Sequence, residues 1–356
     1  MDVGSRLISR RKFVGMLGGA AAAGTTIGAS QLFRSPAAQG ALAGGRRCTH
    51  YVSRPMIGTI SWTCNVLSEA SVESWLTTMA AIGYTYVEHA AGVLGYGDAW
   101  QSGLDGSNFR VGMTAQQFKT ALDNAGIKCR SGHVTGISPY QDSVWKQWVE
   151  DALLIGVDHL GLTNMTPATV ADCKRYAADI HKAYTVARHL GFKGTLFQHY
   201  DVGAWAPLTD RPDLRPIDVV MANTSPGEFH AELDTNHALQ QLGSVAAVIA
   251  EVRKFPGRML QFHLKDGIAP KVPNNAGLEL ASSVEFGLGD WGRPDPNDPT
   301  GRPHAGFQDL LTAIYETQPW QQVLLITESD TSGPTCADYS ELSYRGLNGL
   351  NFVARC

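Results

Sequence analysis

From residue 56 onward, short apolar runs alternate with longer stretches in which apolar residues recur every three or four positions. The short runs read as strands and the longer ones as amphipathic helices. Strands are expected over 56–62 (MIGTISW), 84–90 (YTYVEHA), 127–134 (IKCRSGHV), 157–163 (VDHLGLT), 192–201 (FKGTLFQHYD), 229–236 (FHAELDTN), 259–266 (MLQFHLKD) and 322–330 (QVLLITESD). Helical patterns fall between them, over 71–83, 114–126, 143–156, 166–191, 216–224, 244–257 and 306–317. Ser71 and Thr114 are placed to cap helix starts, Pro167 opens the fourth helix, and Gly83 and Gly126 stop theirs. Strands separated by helices pair in parallel. Eight such units match a closed (β/α)8 barrel better than an open sheet, so the expected fold class is α/β, a single-domain TIM barrel over 56–356. The segment 267–305, rich in Pro, Gly and Asp, is expected to form an elaborate loop at the barrel mouth.

The seventh run sharpens the picture. Leu260, Phe262 and Leu264 share one parity; Gln261, His263 and Lys265 share the other. Strands of a parallel barrel are buried on both faces, so the polar parity must face something other than water. The same holds near the C-terminal end of other strands, which offer Glu88 and His89, His133, His159, Gln198, His199 and Asp201, Glu232, Asp234 and His237, Lys265 and Asp266, and Glu328 and Asp330. Charged groups there must pair, hydrogen-bond or bind a metal, or each costs several kcal/mol. One Asp, two imidazoles and one Glu from four successive strands make a mixed oxygen and nitrogen ligand set. It suits one divalent metal, Mn2+, Co2+, Zn2+ or Mg2+, with no thiolate to favour Cu(I).

Composition narrows the classes. The 356 residues are 44% hydrophobic and 17% charged, which supports a sizeable core. A net charge of −4 gives no reason to expect nucleic acid or an anionic membrane as partner. The N-terminus carries Arg10 and Arg11 after Ser9, an apolar stretch from Phe13 to about Ala29, and small residues at 41–43. Residues 1–43 therefore read as a twin-arginine (Tat) signal and cleavage region, and 44–55 as an N-terminal extension. Glycines and threonines in the apolar stretch fit a membrane anchor poorly. The expectation is export through the Tat translocon to the periplasm or the extracellular space, with no stable membrane insertion after cleavage. None of the six cysteines forms a CxxC pair, which argues against a cysteine-rich zinc site. An oxidising destination permits disulfides, and Cys48 and Cys356 can pair if the chain ends meet. A homo-oligomer is compatible with all of this.

The stretches IGTISWTCN, MAAIGYTYVEHA, LDNAGIKCRSGHV, GEFHAELDTNHAL, KFPGRMLQFHLKDG, FGLGD with GFQDLLTAIYE, and LLITESD run in order over 56–345. In this the chain resembles the xylose isomerase-like TIM-barrel superfamily, in particular its sugar phosphate isomerase/epimerase branch. No GxGxxG follows the first strand, which argues against a dinucleotide-binding half. The resemblance implies a small-molecule sugar substrate and one divalent metal held by Asp234, His263 and Glu328, with His237 and His133 contacting substrate. The fifth strand departs from the pattern, because epimerases carry Glu there. A gapless match places His199 as the fourth ligand, and a one-residue gap would place Gln198. Epimerases use two opposed carboxylates to move protons. Here Glu328 is one base, and His199, His133 or Lys265 would be the other. The implied activity is sugar isomerisation or epimerisation. The alternatives are a lyase or hydratase acting on 3-keto-glycosides, a non-catalytic sugar-binding barrel, or an endonuclease IV-like nuclease, the last disfavoured by charge.

Several of these residues also admit a plainer role. His159 reads as a hydrogen-bonded core histidine and Asp266 as a loop cap. Glu88 is either a substrate contact or the partner of an Arg, and Lys265 either contacts substrate or pairs with Asp234 or Glu328. Trp100, Trp205 and Trp291 are expected as exposed aromatics of the mouth loops that either stack on a sugar ring or pack the loops, with Trp291 the one assigned to substrate.

Overall fold

The computed structural model describes residues 46–356 except 65–70, 91–113, 135–136, 138–139, 164, 274–278, 285–288, 290, 292–304 and 331–335. The Tat region, Trp100 and most of the FGLGD stretch lie outside the described residues. Eight parallel strands close into a barrel: β2 (Ile57–Ile60), β3 (Tyr86–His89), β4 (Lys128–Val134), β5 (His159–Leu162), β6 (Thr195–His199), β7 (Phe229–Asp234), β8 (Met259–Leu264) and β11 (Leu324–Thr327). Closure is by β11 pairing with both β8 and β2. Each expected strand is present, with helices between them.

Local chemistry sets the element boundaries. Helix α1 (Val72–Ile82) is capped by the Ser71 hydroxyl, which accepts from Ser74 N. Helix α2 (Ala115–Ala125) starts with a reciprocal capping box between Thr114 and Gln117 and ends at Gly126, whose φ of 67° is left-handed. Helix α3 spans Asp142–Ile155. Helix α4 (Val170–His189) begins after Pro167, because Thr169 and Asp172 form a capping box three residues further on. Two strands stop short of their expected ends for the same reason. Asp201 caps the single-turn helix α5 (Val202–Trp205). Asp234 accepts from Asn236 N and His237 N, turning the chain into α7 (Thr235–Leu242) straight after β7. Helices α6 (Pro216–Ala222), α8 (Val245–Lys254), α9 (Ala305–Thr317) and α10 (Cys336–Leu347) complete the set.

Three features differ from expectation. Within 267–305 the chain forms an antiparallel hairpin of β9 (Asp266–Pro273) and β10 (Glu279–Val284). Pro270 and Pro273 hide this strand from a pattern reading, because proline is confined to edges. Residues within the expected extension form β1 (Arg47–Tyr51), which pairs with β12 (Asn351–Arg355). This brings Arg47–Tyr51 beside the C-terminal strand, and Cys48 bonds Cys356, as expected, across a Cα separation of 5.2 Å. A second disulfide, Cys64–Cys336, ties the segment after β2 to α10 across 272 residues of sequence and was not anticipated.

Strand alternation then divides the barrel. Outward residues such as Phe229, Leu233, Phe262 and Leu264 join the large core beneath the helices. One side of the interior is apolar, built from Ile60, Tyr86, Leu324 and Ile326. The other side is polar. His230, Glu232 and Asp234 on β7, and Gln261 and His263 on β8 with Lys265 just beyond it, are buried at every second position.

Candidate metal centre

The mouth of the polar side gathers side chains from the ends of four strands. His199 closes β6, Asp234 closes β7, His263 is the last inward residue of β8, and Glu328 follows β11. One ligand atom from each lies within 4.8 Å of the others. In an octahedral site with bonds of about 2.1 Å, opposite ligands stand about 4.2 Å apart, so a small inward movement encloses a dication. His199 Nε2, Asp234 Oδ2, His263 Nδ1 and Glu328 Oε2 are all buried without a hydrogen bond. Asp234 Oδ2 meets Lys265 Nζ at 2.8 Å and His199 Nε2 at 3.9 Å only as ion pairs. His263 Nδ1 and Glu328 Oε2 lie against each other without hydrogen-bond alignment. Buried polar atoms rarely go without a hydrogen bond, so one such atom on each member of a convergent set marks a place where something can bind.

The electrostatics agree. Lys265 Nζ pairs with Asp234, with Glu328 at 3.1 Å and with Asp330 at 3.0 Å. Three carboxylates against one ammonium leave two negative charges at the mouth. Burial would lower the Lys265 pKa, but these carboxylates outweigh it and hold the group well above its usual range. Burial pushes Asp234 up, yet His237 and Lys265 outweigh it and keep its carboxyl well below the usual range. Glu328 is likewise lowered by Lys265 and His263 against the effect of burial. For His199, burial and the neighbouring His263 and His133 hold the ring well below 6.5, so it is neutral and offers a lone pair. Two neutral or displaceable nitrogens, two carboxylates and an excess negative charge fit a divalent ion.

Directly beneath, a second cluster shares His263. Its Nε2 lies 2.8 Å from Glu88 Oε1 and 3.0 Å from Glu232 Oε1. His133 Nε2 reaches Glu232 Oε2 at 2.8 Å and Glu88 Oε1 at 3.1 Å. Ser131 Oγ donates to Glu88 Oε2, and Gln261 Nε2 donates to Glu88 Oε2 at 3.0 Å and Glu232 Oε1 at 3.1 Å. Burial lowers the His133 pKa, but Glu88 and Glu232 outweigh it and push it up to about 10. Burial raises Glu88, and His133 and His263 overcome this, taking its carboxyl well below the usual range.

The remaining candidates fall into place around these two clusters. Gln198 points away from the mouth cluster, accepting from Tyr176 OH at 2.6 Å. His237 stands beside His199, with ring centroids 5.9 Å apart, and its Nδ1 is buried without a partner. His159 is held by Thr195 Oγ1 at 2.9 Å, as a core histidine would be. Asp266 accepts from Gly267 N, Gly289 N and Trp291 N, which ties the chain beyond β9 to the barrel. A Cβ at Gly289 would come within 2.2 Å of Asp266 Oδ1, so only glycine fits there. Three expectations need correction. Glu88 has no Arg partner among the described contacts; imidazoles, Ser131 and Gln261 surround it. Trp205 is buried under Arg215 instead of standing exposed. Trp291 is fully buried and stacks on Phe307, so it offers no open face to a sugar ring. Glu232 stands among the residues expected near the strand ends, whereas that reading passes over Ser131, His230 and Gln261. For the last two the signal is the period-two polar pattern running back down β7 and β8.

At the level of sequence, no family model and no curated protein matches the chain. Solved structures do. A sugar phosphate isomerase/epimerase from Parabacteroides distasonis aligns over 83% of this chain and 93% of its own, with 16% identity and a TM-score of 0.60. A xylose isomerase-like TIM barrel protein from Mycobacterium smegmatis, solved in complex with magnesium, aligns over 83% and 98%, with 12% identity and a TM-score of 0.51. The fold is that of the xylose isomerase-like TIM barrels. A probable 3-DHS dehydratase involved in petrobactin synthesis, from Bacillus anthracis, shares this barrel over 81% and 97%, with 9% identity and a TM-score of 0.53. Within such a xylose isomerase-like barrel the mouth cluster lies at the C-terminal ends of the strands, where enzymes of this architecture carry their active sites.

Proposed function

We propose that the chain is a divalent-metal-dependent enzyme that moves a proton at a carbon beside a carbonyl or hydroxyl of a sugar or sugar derivative, in the manner of a sugar isomerase or epimerase. The observation that carries this is the set of four buried atoms without a hydrogen bond that His199, Asp234, His263 and Glu328 bring together at the barrel mouth. These residues hold the ion, which supplies Lewis-acid polarisation of the substrate oxygen. Glu328 is the base: its carboxylate is at the mouth, kept ionised by Lys265. Lys265 places a fixed positive charge beside the oxygen on which negative charge develops. His237, with its free Nδ1, is the residue best placed to hydrogen-bond a substrate hydroxyl.

One observation favours a second reading. The inward end of β6 carries His199, not the carboxylate of the epimerases the chain resembles, so the β6 member of their carboxylate pair is replaced. A β-elimination from a keto-sugar needs only one carboxylate, which takes the proton beside the carbonyl and returns it to the leaving oxygen; Glu328 is placed for this, with the Lys265 charge at 3.1 Å. Export through the Tat route to the periplasm or beyond remains part of the proposal. Two disulfides linking distant parts of the chain support an oxidising destination.

The test is metal analysis of the purified full-length protein, then turnover assays on free sugars and on 3-keto-glycosides. A metal-to-protein ratio near one, lost in Asp234→Asn together with turnover, is the expected result. A metal-free protein, or a metal content untouched by Asp234→Asn, would sink the reading. Isomerised sugar supports the first activity, and release of an eliminated product supports the second.

A further inference from the structure

A single column of hydrogen bonds runs along the polar side of the barrel, and its direction can be deduced. Gln261 Nε2 faces two carboxylate oxygens, Glu88 Oε2 and Glu232 Oε1, and lies 2.5 Å from Ser131 Oγ. Carboxylates only accept, so the amide must turn its NH2 toward them and its oxygen away. That oxygen faces His230 Nε2 at 3.1 Å, so His230 donates from Nε2. His230 Nδ1 then carries the lone pair and accepts from Thr195 Oγ1 at 3.0 Å. Thr195 Oγ1 in turn accepts from His159 Nδ1 at 2.9 Å. Above the amide, Glu88 and Glu232 are fully buried and offer only acceptors to His263 Nε2.

We infer that Glu88, Glu232 and Gln261 are positioning residues that keep a proton on His263 Nε2 and so present its Nδ1 to a divalent ion at the mouth. This rests on the metal reading proposed above. A ligating imidazole needs its second nitrogen anchored to fix tautomer and ring orientation, and buried carboxylates do this best. Two features of this chain carry the assignment. The two nitrogens of His263 face different clusters: Nε2 meets atoms that are otherwise satisfied, and Nδ1 meets Glu328 Oε2, which makes no hydrogen bond. Gln261 also locks the carboxylates in place from below, so neither can swing up to the mouth.

The experiment loads the full-length protein, labelled with 15N-histidine, with zinc and records long-range proton–nitrogen NMR correlations of the imidazoles. The expected spectrum shows His263 protonated at Nε2 and zinc-shifted at Nδ1. The reverse pattern, zinc on Nε2, would overturn the inference while leaving the metal reading intact. A wild-type protein that takes up no zinc in equilibrium dialysis would overturn both. As a second measurement, Glu88→Ala is expected to raise the zinc dissociation constant by about 10- to 100-fold. A merely structural role for Glu88 would lower the unfolding midpoint and leave zinc affinity of the folded variant unchanged, which would also overturn it. Should that variant fail to fold, the wild-type spectrum decides alone.

Discussion

The deep cluster of Glu88, His133, Glu232 and His263 and the mouth cluster of His199, Asp234, His263 and Glu328 share one imidazole and little else. In the deep cluster every carboxylate oxygen meets a donor, and two imidazoliums balance two carboxylates. At the mouth each ligand residue has a buried atom left over, and carboxylates outnumber cations. Residue types alone would rank both as metal sites. Saturation separates them: the first is complete as it stands, and the second needs a partner. The first is a closed ion-paired network and the second an open one, with His263 joining the two.

The sharpest way to break this comparison is pH, because it removes charge from the deep cluster as a whole. His133 and His263 are both raised in the folded protein by their carboxylates. The folded state thus holds their protons more tightly than the unfolded chain does. Their contribution to stability is complete below the unfolded value of about 6.5 and is lost as pH climbs; for His133 the loss runs up to about 10. The metal-free protein should therefore melt at steadily lower temperature across that window in differential scanning calorimetry. A flat profile would mean that the deep cluster is not ion-paired.

Next in size is removal of one deep carboxylate. Glu232→Leu leaves two imidazoles facing Glu88 alone inside the barrel. Breaking such a buried set costs about 3–5 kcal/mol, read as a lowered urea midpoint of the metal-free protein. A cost under about 1 kcal/mol would contradict the structural role. Asp234→Asn at the mouth should cost less metal-free stability than Glu232→Leu, because Asn keeps the helix cap and Lys265 keeps Glu328 and Asp330 as partners; its larger effect falls on the metal. The variant should lose the stabilisation of about 2.7 kcal/mol that wild type gains at a metal concentration 100 times its dissociation constant. Equal metal-induced shifts in both proteins would show the ion binding elsewhere.

The barrel was legible because parallel strands between helices leave a plain trace: short apolar runs bounded by caps and glycine stops. Its boundaries were less so. Asp201 and Asp234 look like strand residues in FQHYD and FHAELD until their side chains are seen capping the next helix. The β1–β12 ribbon and the Cys64–Cys336 bond depend on the distant meeting of chain segments, which no local pattern encodes. At the site, the mouth residues could be named because they end their strands. His230 and Gln261 lie deeper, where a polar residue is legible only if the parity of a strand buried on both faces is followed along its length. Ser131 is small enough to sit in any strand, and its role exists only through the carboxylate it meets.

The smallest expected effect lies at the far end of the column. His159 is nearly buried at the foot of the barrel, and burial lowers its pKa to about 4, so it is neutral and contributes a single hydrogen bond to Thr195. His159→Leu should cost about 1 kcal/mol in urea unfolding, the worth of one such bond. Zinc affinity should stay the same. The direction of the column is set where Gln261 meets two carboxylates, above His159, and Thr195 can still donate to His230 without it. A variant with weakened zinc binding would show instead that the tautomer of His263 is governed from the foot of the barrel, and that the deep cluster relays an influence it does not itself fix.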